Sequence, residues 1–198
     1  MARRARNEIL YDGCFAHVFS RALDQQFVFE EDQDFQFFKI LLAQTKARHG
    51  FRIHHYCLMN THFHLAVSIP DLKAFSSALK EIKQRYAAHV TKTHSWQGPL
   101  WWGRFQSRLI EDEAYLHALG LYIEGNPVTA GIVQNPEDWP HSSSRHYLLG
   151  EKDPLIDPYE PPSPEKSQEI LKTLDLVEGR VIGSKLFQLH IKEGVLQD

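Results

Sequence analysis

Two apolar runs stand back to back at the centre of the chain, FRIHHYCLM over 51–59 and THFHLAVSI over 61–69, with Asn60 alone between them. Both have strand length and strand-type residues. So short a break admits only an antiparallel hairpin, because parallel neighbours need a crossover of a dozen or more residues. A long run at helical spacing lies on either side. The first, 29–50, opens on acids, repeats apolar positions at Phe35, Phe38, Leu41, Leu42 and Thr45, and ends on Gly50 after a basic turn. The second, 71–94, has helical spacing at Leu72, Phe75, Leu79, Ile82, Tyr86 and Val90. A first strand is predicted over 14–23 (CFAHVFSRAL) and a fourth within 98–112, where a turn with two tryptophans leads into an alternating run. A third helix over 113–125 carries Tyr115, Leu116, Leu119 and Ile123, and Pro127 is expected to cut it off. The order strand, helix, strand, strand, helix, strand, helix predicts an α+β fold of the ferredoxin-like type, an antiparallel sheet with helices packed on one side.

A chain of 198 residues accommodates one principal domain and an appendage. The predicted boundary follows residue 150, where EKDPLIDPYEPPSPEK (151–166) concentrates proline and charge. The remainder, through SQEILKTLDLVEGRVIGSKLFQLHIKEGV, reads as short helices that dock on the core or on a partner. Cys14 and Cys57 stand in no metal-binding spacing, which points to a reducing compartment rather than a disulfide framework. No apolar run approaches the roughly 20 residues of a membrane helix, and MARRARNE lacks a signal-peptide core, so a cytoplasmic protein is expected. The net charge of −3 argues against a general polyanion binder. Its distribution leaves room for a basic face, since Lys73, Lys80, Lys83, Arg85, Lys92, Arg104 and Arg108 cluster against Asp71 and Glu81.

Within the second central strand, His62 and His64 point to one face and Phe63 to the other, because strand side chains alternate. Neighbouring imidazoles on one face can ligate a single metal ion. Among 12 histidines such a pair also arises incidentally, as surface or satisfied core side chains. Near the end of the third helix, Tyr122 is followed four residues on by Asn126, which continuous helix would place beside it. A tyrosine there also has a purely packing role.

His62-Phe63-His64 after Leu58-Met59, LWWGRFQS (100–107) and YIEGNPVTAGIV (122–133) together resemble the single-tyrosine HUH transposases, and most closely their REP-associated tyrosine transposase branch. The similarity runs over about residues 5–150, and GRVIGSKLF near the end is similar to that branch's C-terminal appendage. The chain departs from the family pattern at Asn60-Thr61, at Glu124-Gly125 and at Thr129. The resemblance implies that Tyr122 is a nucleophile, joined to DNA through a 5′-phosphotyrosine link with release of a 3′-hydroxyl, and that Mg²⁺ or Mn²⁺ is the cofactor. His62 and His64 would hold the ion, with Asn126 as the third ligand. A phenol with a pKa of about 10 is a poor nucleophile at neutral pH, so a polarised phosphate is what such chemistry needs. The implied substrate is single-stranded or hairpin DNA, with nucleoid association in a bacterial cytosol and a monomer or homodimer as the working unit. Trp101, Trp102 and Phe105 would stack unpaired bases beside Lys83, Arg104 and Arg108, and Arg3, Arg4 and Arg6 form a basic arm. Two other readings stay open: a hairpin-binding protein that has lost chemistry, and a metal hydrolase that takes a carboxylate from Glu111, Asp112 or Glu113.

Overall fold

The computed structural model describes residues 10–110 and 113–159, apart from the side chains of Glu113 and Ala114. Helix α1, Asp32–His49, begins where Asp34 folds back to accept the amide N–H groups of Glu30 and Glu31 at 3.0 and 3.1 Å. It ends at Gly50, whose φ of 72° suits a residue without a Cβ. Helix α2, Leu72–Thr93, is capped by Asp71, which accepts the Ala74 N–H at 2.8 Å.

Four strands, β1 (Cys14–Arg21), β2 (Arg52–Met59), β3 (His62–Ile69) and β4 (Gln106–Ile110), form a fully antiparallel sheet in the order β2-β3-β1-β4. The hairpin pairs Met59 with His62 across Asn60 and Thr61. Strand β1 lies between β3 and β4, with His17 opposite Ala66 on one side and Arg108 on the other.

Strand alternation splits the molecule into two apolar layers. Ala16, Val18, Phe63, Leu65 and Val67 face α1 and α2, where they join Phe35, Phe38, Leu41, Leu42, Phe75, Leu79, Ile82 and Tyr86 in the main core. Burying each large apolar side chain there contributes about 1.5–3 kcal/mol. The opposite face is thinner. Cys57, Met59, Ala66 and Ile110 meet Leu116, Leu119 and Ile123 of α3, Glu113–Thr129.

Pro127 does not end α3, contrary to the expectation from sequence. Proline cannot supply the amide hydrogen that Ile123 O would accept, and the side chain of Asn126 does so instead, donating to Ile123 O at 3.1 Å and Tyr122 O at 2.8 Å. The helix then closes at Gly131, whose φ is 70°. At Gly120, α3 runs so close to the sheet that a Cβ would overlap the His55 ring.

The proline-rich stretch after Gly150 packs back onto this body. Leu155 and Ile156 are buried in the main core, and Ile156 bridges to Ile53. Asp157 binds Lys46 Nζ at 2.7 Å and the Ile53 amide at 2.9 Å, while the Tyr56 hydroxyl donates to Asp153 at 2.6 Å. The arm Arg3, Arg4 and Arg6 and the rest of the expected appendage, 160–198, lie outside the described residues.

Candidate active site

Phe63 enters the main core, so its neighbours His62 and His64 emerge on the face that α3 crosses. Their rings are 4.9 Å apart at 88°. The register between β1 and β3 adds a third imidazole, His17, edge to edge with His64, the rings 22° from coplanar and their centroids 5.1 Å apart. Its Nε2 is 2.9 Å from His64 Nδ1. Tyr122 reaches over from α3 with its ring edge-on to both, 6.1 Å from His64 and 6.3 Å from His17.

Burial keeps this cluster neutral. It lowers His17 to about 3, with Arg108 adding to the effect, and His62 to about 4, with Arg21 adding. His64 falls well below the ordinary histidine range, through burial first and then through His17, His62 and Arg21. Neutral imidazole is the form that binds metal.

The donor set suits a divalent cation. His62 Nδ1 is engaged by Thr61 Oγ1 at 2.9 Å and His64 Nδ1 by His17, so on each ring the ε nitrogen is the one outside these contacts. Among the described residues, no group of three or more His, Cys, Asp or Glu side chains is placed to hold a metal. The histidine pair therefore needs oxygens from an amide, a substrate or solvent. Asn126 has committed its nitrogen to helix carbonyls and retains its amide oxygen. Glu124, two residues past Tyr122, is turned away: its Oε1 is 2.8 Å from His55 Nδ1 and accepts the Ser143 hydroxyl at 2.6 Å. Glu111, Asp112 and the Glu113 side chain, proposed for a hydrolase, lie outside the described residues.

The expected DNA-contact set divides. Trp101 and Phe105 are largely buried, 9% and 6% exposed, so little of either ring is open to a base. Trp101 packs on Phe38, Phe63 and Tyr86, and Phe105 on Phe75. Lys83 is buried as well: its Nζ donates to Ser20 Oγ and Gly103 O, each at 2.8 Å, and ties the loop to β1. Trp102 is 60% exposed, with Arg104 and Arg108 exposed as well. A cleft of about 510 Å³ beside α2 is edged by Lys80, Gln84 and Arg104 and floored by Trp101 and Phe105.

Sequence reasoning missed His17 and Arg21. Alternation in CFAHVFSR places His17, Phe19 and Arg21 on one strand face, but only the pairing of β1 with β3 brings that face beside His62 and His64.

The model of the IS200-like transposase family matches residues 11–126, from the approach to β1 through His62, His64, Tyr122 and Asn126. The chain belongs to this family. No curated protein matches. Among solved structures, the REP-associated tyrosine transposase bound to a REP hairpin is similar with a TM-score of 0.63 at 20% identity, over 80% of this chain and 93% of that one. A chain from Deinococcus radiodurans R1 with a provisional transposase assignment gives a TM-score of 0.40 at 20% identity, over 63% of this chain and 97% of that one. This IS200-like transposase thus shares the REP-associated enzyme's fold, a four-stranded antiparallel sheet with the α1–α2 helical layer on one side.

Proposed function

We propose that this IS200-like transposase cleaves and rejoins single-stranded DNA next to hairpins, with Tyr122 as nucleophile and a divalent metal, Mg²⁺ or Mn²⁺, as cofactor. The observation that carries the reading is the placement of Tyr122 edge-on to His64 within a cluster of neutral imidazoles. Hairpin DNA as partner is supported by the like-folded transposase, which was solved on a REP hairpin.

The steps follow from the side chains present. The Tyr122 oxygen attacks the scissile phosphorus and gives up its proton, the bond from phosphorus to the 3′-oxygen breaks, and that oxygen leaves as a 3′-hydroxyl. A bound cation at His62, His64 and the Asn126 amide oxygen would polarise the phosphate and offset its developing charge. Arg21 and Arg108 flank the histidines and would draw the phosphodiester onto this face. Attack by another 3′-hydroxyl on the phosphotyrosine reverses the chemistry, with the phosphodiester energy conserved in the covalent link.

The test is incubation with end-labelled single-stranded hairpin oligonucleotides and Mn²⁺, a denaturing gel, and peptide mapping. Label on the Tyr122 peptide, absent from Tyr122→Phe, is the expected result. Retention of hairpins on a filter with no adduct from the wild type would move the reading to a binding protein without chemistry.

A further inference from the structure

Outside the proposed ligands, His17 is the side chain whose position most needs explaining. It is 6% exposed, on a central strand, with its Nε2 spent on His64 Nδ1 at 2.9 Å. An apolar residue would fill this site without the cost of burying a ring with two polar nitrogens. A contact of 2.9 Å between two ring nitrogens requires one proton between them, so one imidazole donates and the other accepts. That choice matters for His64. If His17 donates, the remaining hydrogen of neutral His64 sits on Nε2 and closes it to metal. If His64 donates from Nδ1, its Nε2 carries a lone pair.

We infer that His17 is a positioning residue, accepting the Nδ1 hydrogen of His64 and so fixing the tautomer and ring orientation in which His64 Nε2 can bind a divalent cation. The arrangement is the outer-shell logic of metal sites, with an imidazole in place of the usual carboxylate or carbonyl as acceptor. A neutral acceptor adds no negative charge to a face that must receive a phosphodiester. His17 is not a third ligand in this arrangement, because its inward nitrogen is already occupied by His64. The two rings meet edge to edge, 22° from coplanar, so the hydrogen bond holds His64 from its flank while Phe63 anchors the strand beneath it.

The inference rests on the metal reading of the proposed function, and two measurements on the full chain separate the failures. Long-range ¹H–¹⁵N correlation of the metal-free protein reports the His64 tautomer. The Nδ1–H form is expected in the wild type and in His17→Gln, whose amide oxygen can accept in place of Nε2, and loss of that preference is expected in His17→Phe. Titration with Mn²⁺ alone should show affinity reduced about 10–100-fold in His17→Phe and largely restored in His17→Gln. A wild-type His64 protonated at Nε2 overturns the inference, as does His17→Phe binding Mn²⁺ like the wild type or a folded His17→Gln as weak as His17→Phe. A wild type that binds no Mn²⁺ removes the metal reading itself, and His17's role with it.

Discussion

His64 is held from several sides: it is buried, neutral, hydrogen-bonded to His17 and met edge-on by the Tyr122 ring. Losing one metal-type donor removes several kcal/mol of transition-state stabilisation, so His64→Ala should slow formation of the covalent adduct by at least about 100-fold, read from gel time courses. At Gly120 the effect should fall on stability, because Ala would drive a methyl into the His55 ring, and a loss of about 1–3 kcal/mol is expected in urea unfolding. The facing of His62 and His64 was legible from alternation alone. The role of His17 was not, because its meaning depends on which strand lies beside β3, and chain order does not contain that register. The burial of Trp101 and Lys83 was not legible for a related reason: tryptophan and lysine next to arginine suit an exposed surface or a core side chain with a buried stem, and only the packing of the loop on β1 distinguishes them.

Helix α3 depends on one local substitution of donors. With Pro127 in the chain, the Asn126 amide takes the place of the missing backbone N–H, so Asn126→Ala should leave Ile123 O unsatisfied and cost about 1–3 kcal/mol. Asn126→Ala should also reduce adduct formation, because the same turn carries Tyr122. Helical content by circular dichroism alongside adduct yield would show both. At the far end of the molecule, the α2 cap predicts a loss of about 1 kcal/mol for Asp71→Ala, measured by thermal unfolding. The two core helices and all four strands could be read from period and punctuation. The end of α3 could not, because the rule that proline stops a helix considers backbone donors and omits a side chain able to replace one.

Across the whole molecule, acid should weaken the fold. His17, His62 and His141 titrate near 3, 4 and 4 when folded, mainly through burial, against 6.5 for the ordinary group. The unfolded chain therefore takes up protons between about pH 6.5 and 4 that the folded chain refuses, and each such histidine lowers stability by about 1.4 kcal/mol per pH unit across that window. His94 acts in the opposite direction. Its hydrogen bond to Asp34 raises it, so that contribution is complete below 6.5 and fades as pH rises through the raised value. Urea midpoints at pH 7, 6 and 5 should fall steeply, since the depressed groups outnumber the raised one. The segment 151–159 belongs to the same whole-molecule ledger of contacts, and a chain stopped at Gly150 should melt well below the full chain because Leu155, Ile156 and Asp157 are removed together.

Phe63 sits between the two histidines in sequence and on the other side of the sheet in space, with its ring 5.1 Å from Phe38 and 5.6 Å from Trp101. The proposed site therefore inherits its alignment from the packing of the layer on the other side of the sheet. In a deep mutational scan for transposition, intolerant positions should form a column through the molecule rather than a sphere around Tyr122. That column would run from the imidazoles through Phe63 to Phe38 and Trp101, and changes at its far end would register as lost activity in protein that still folds.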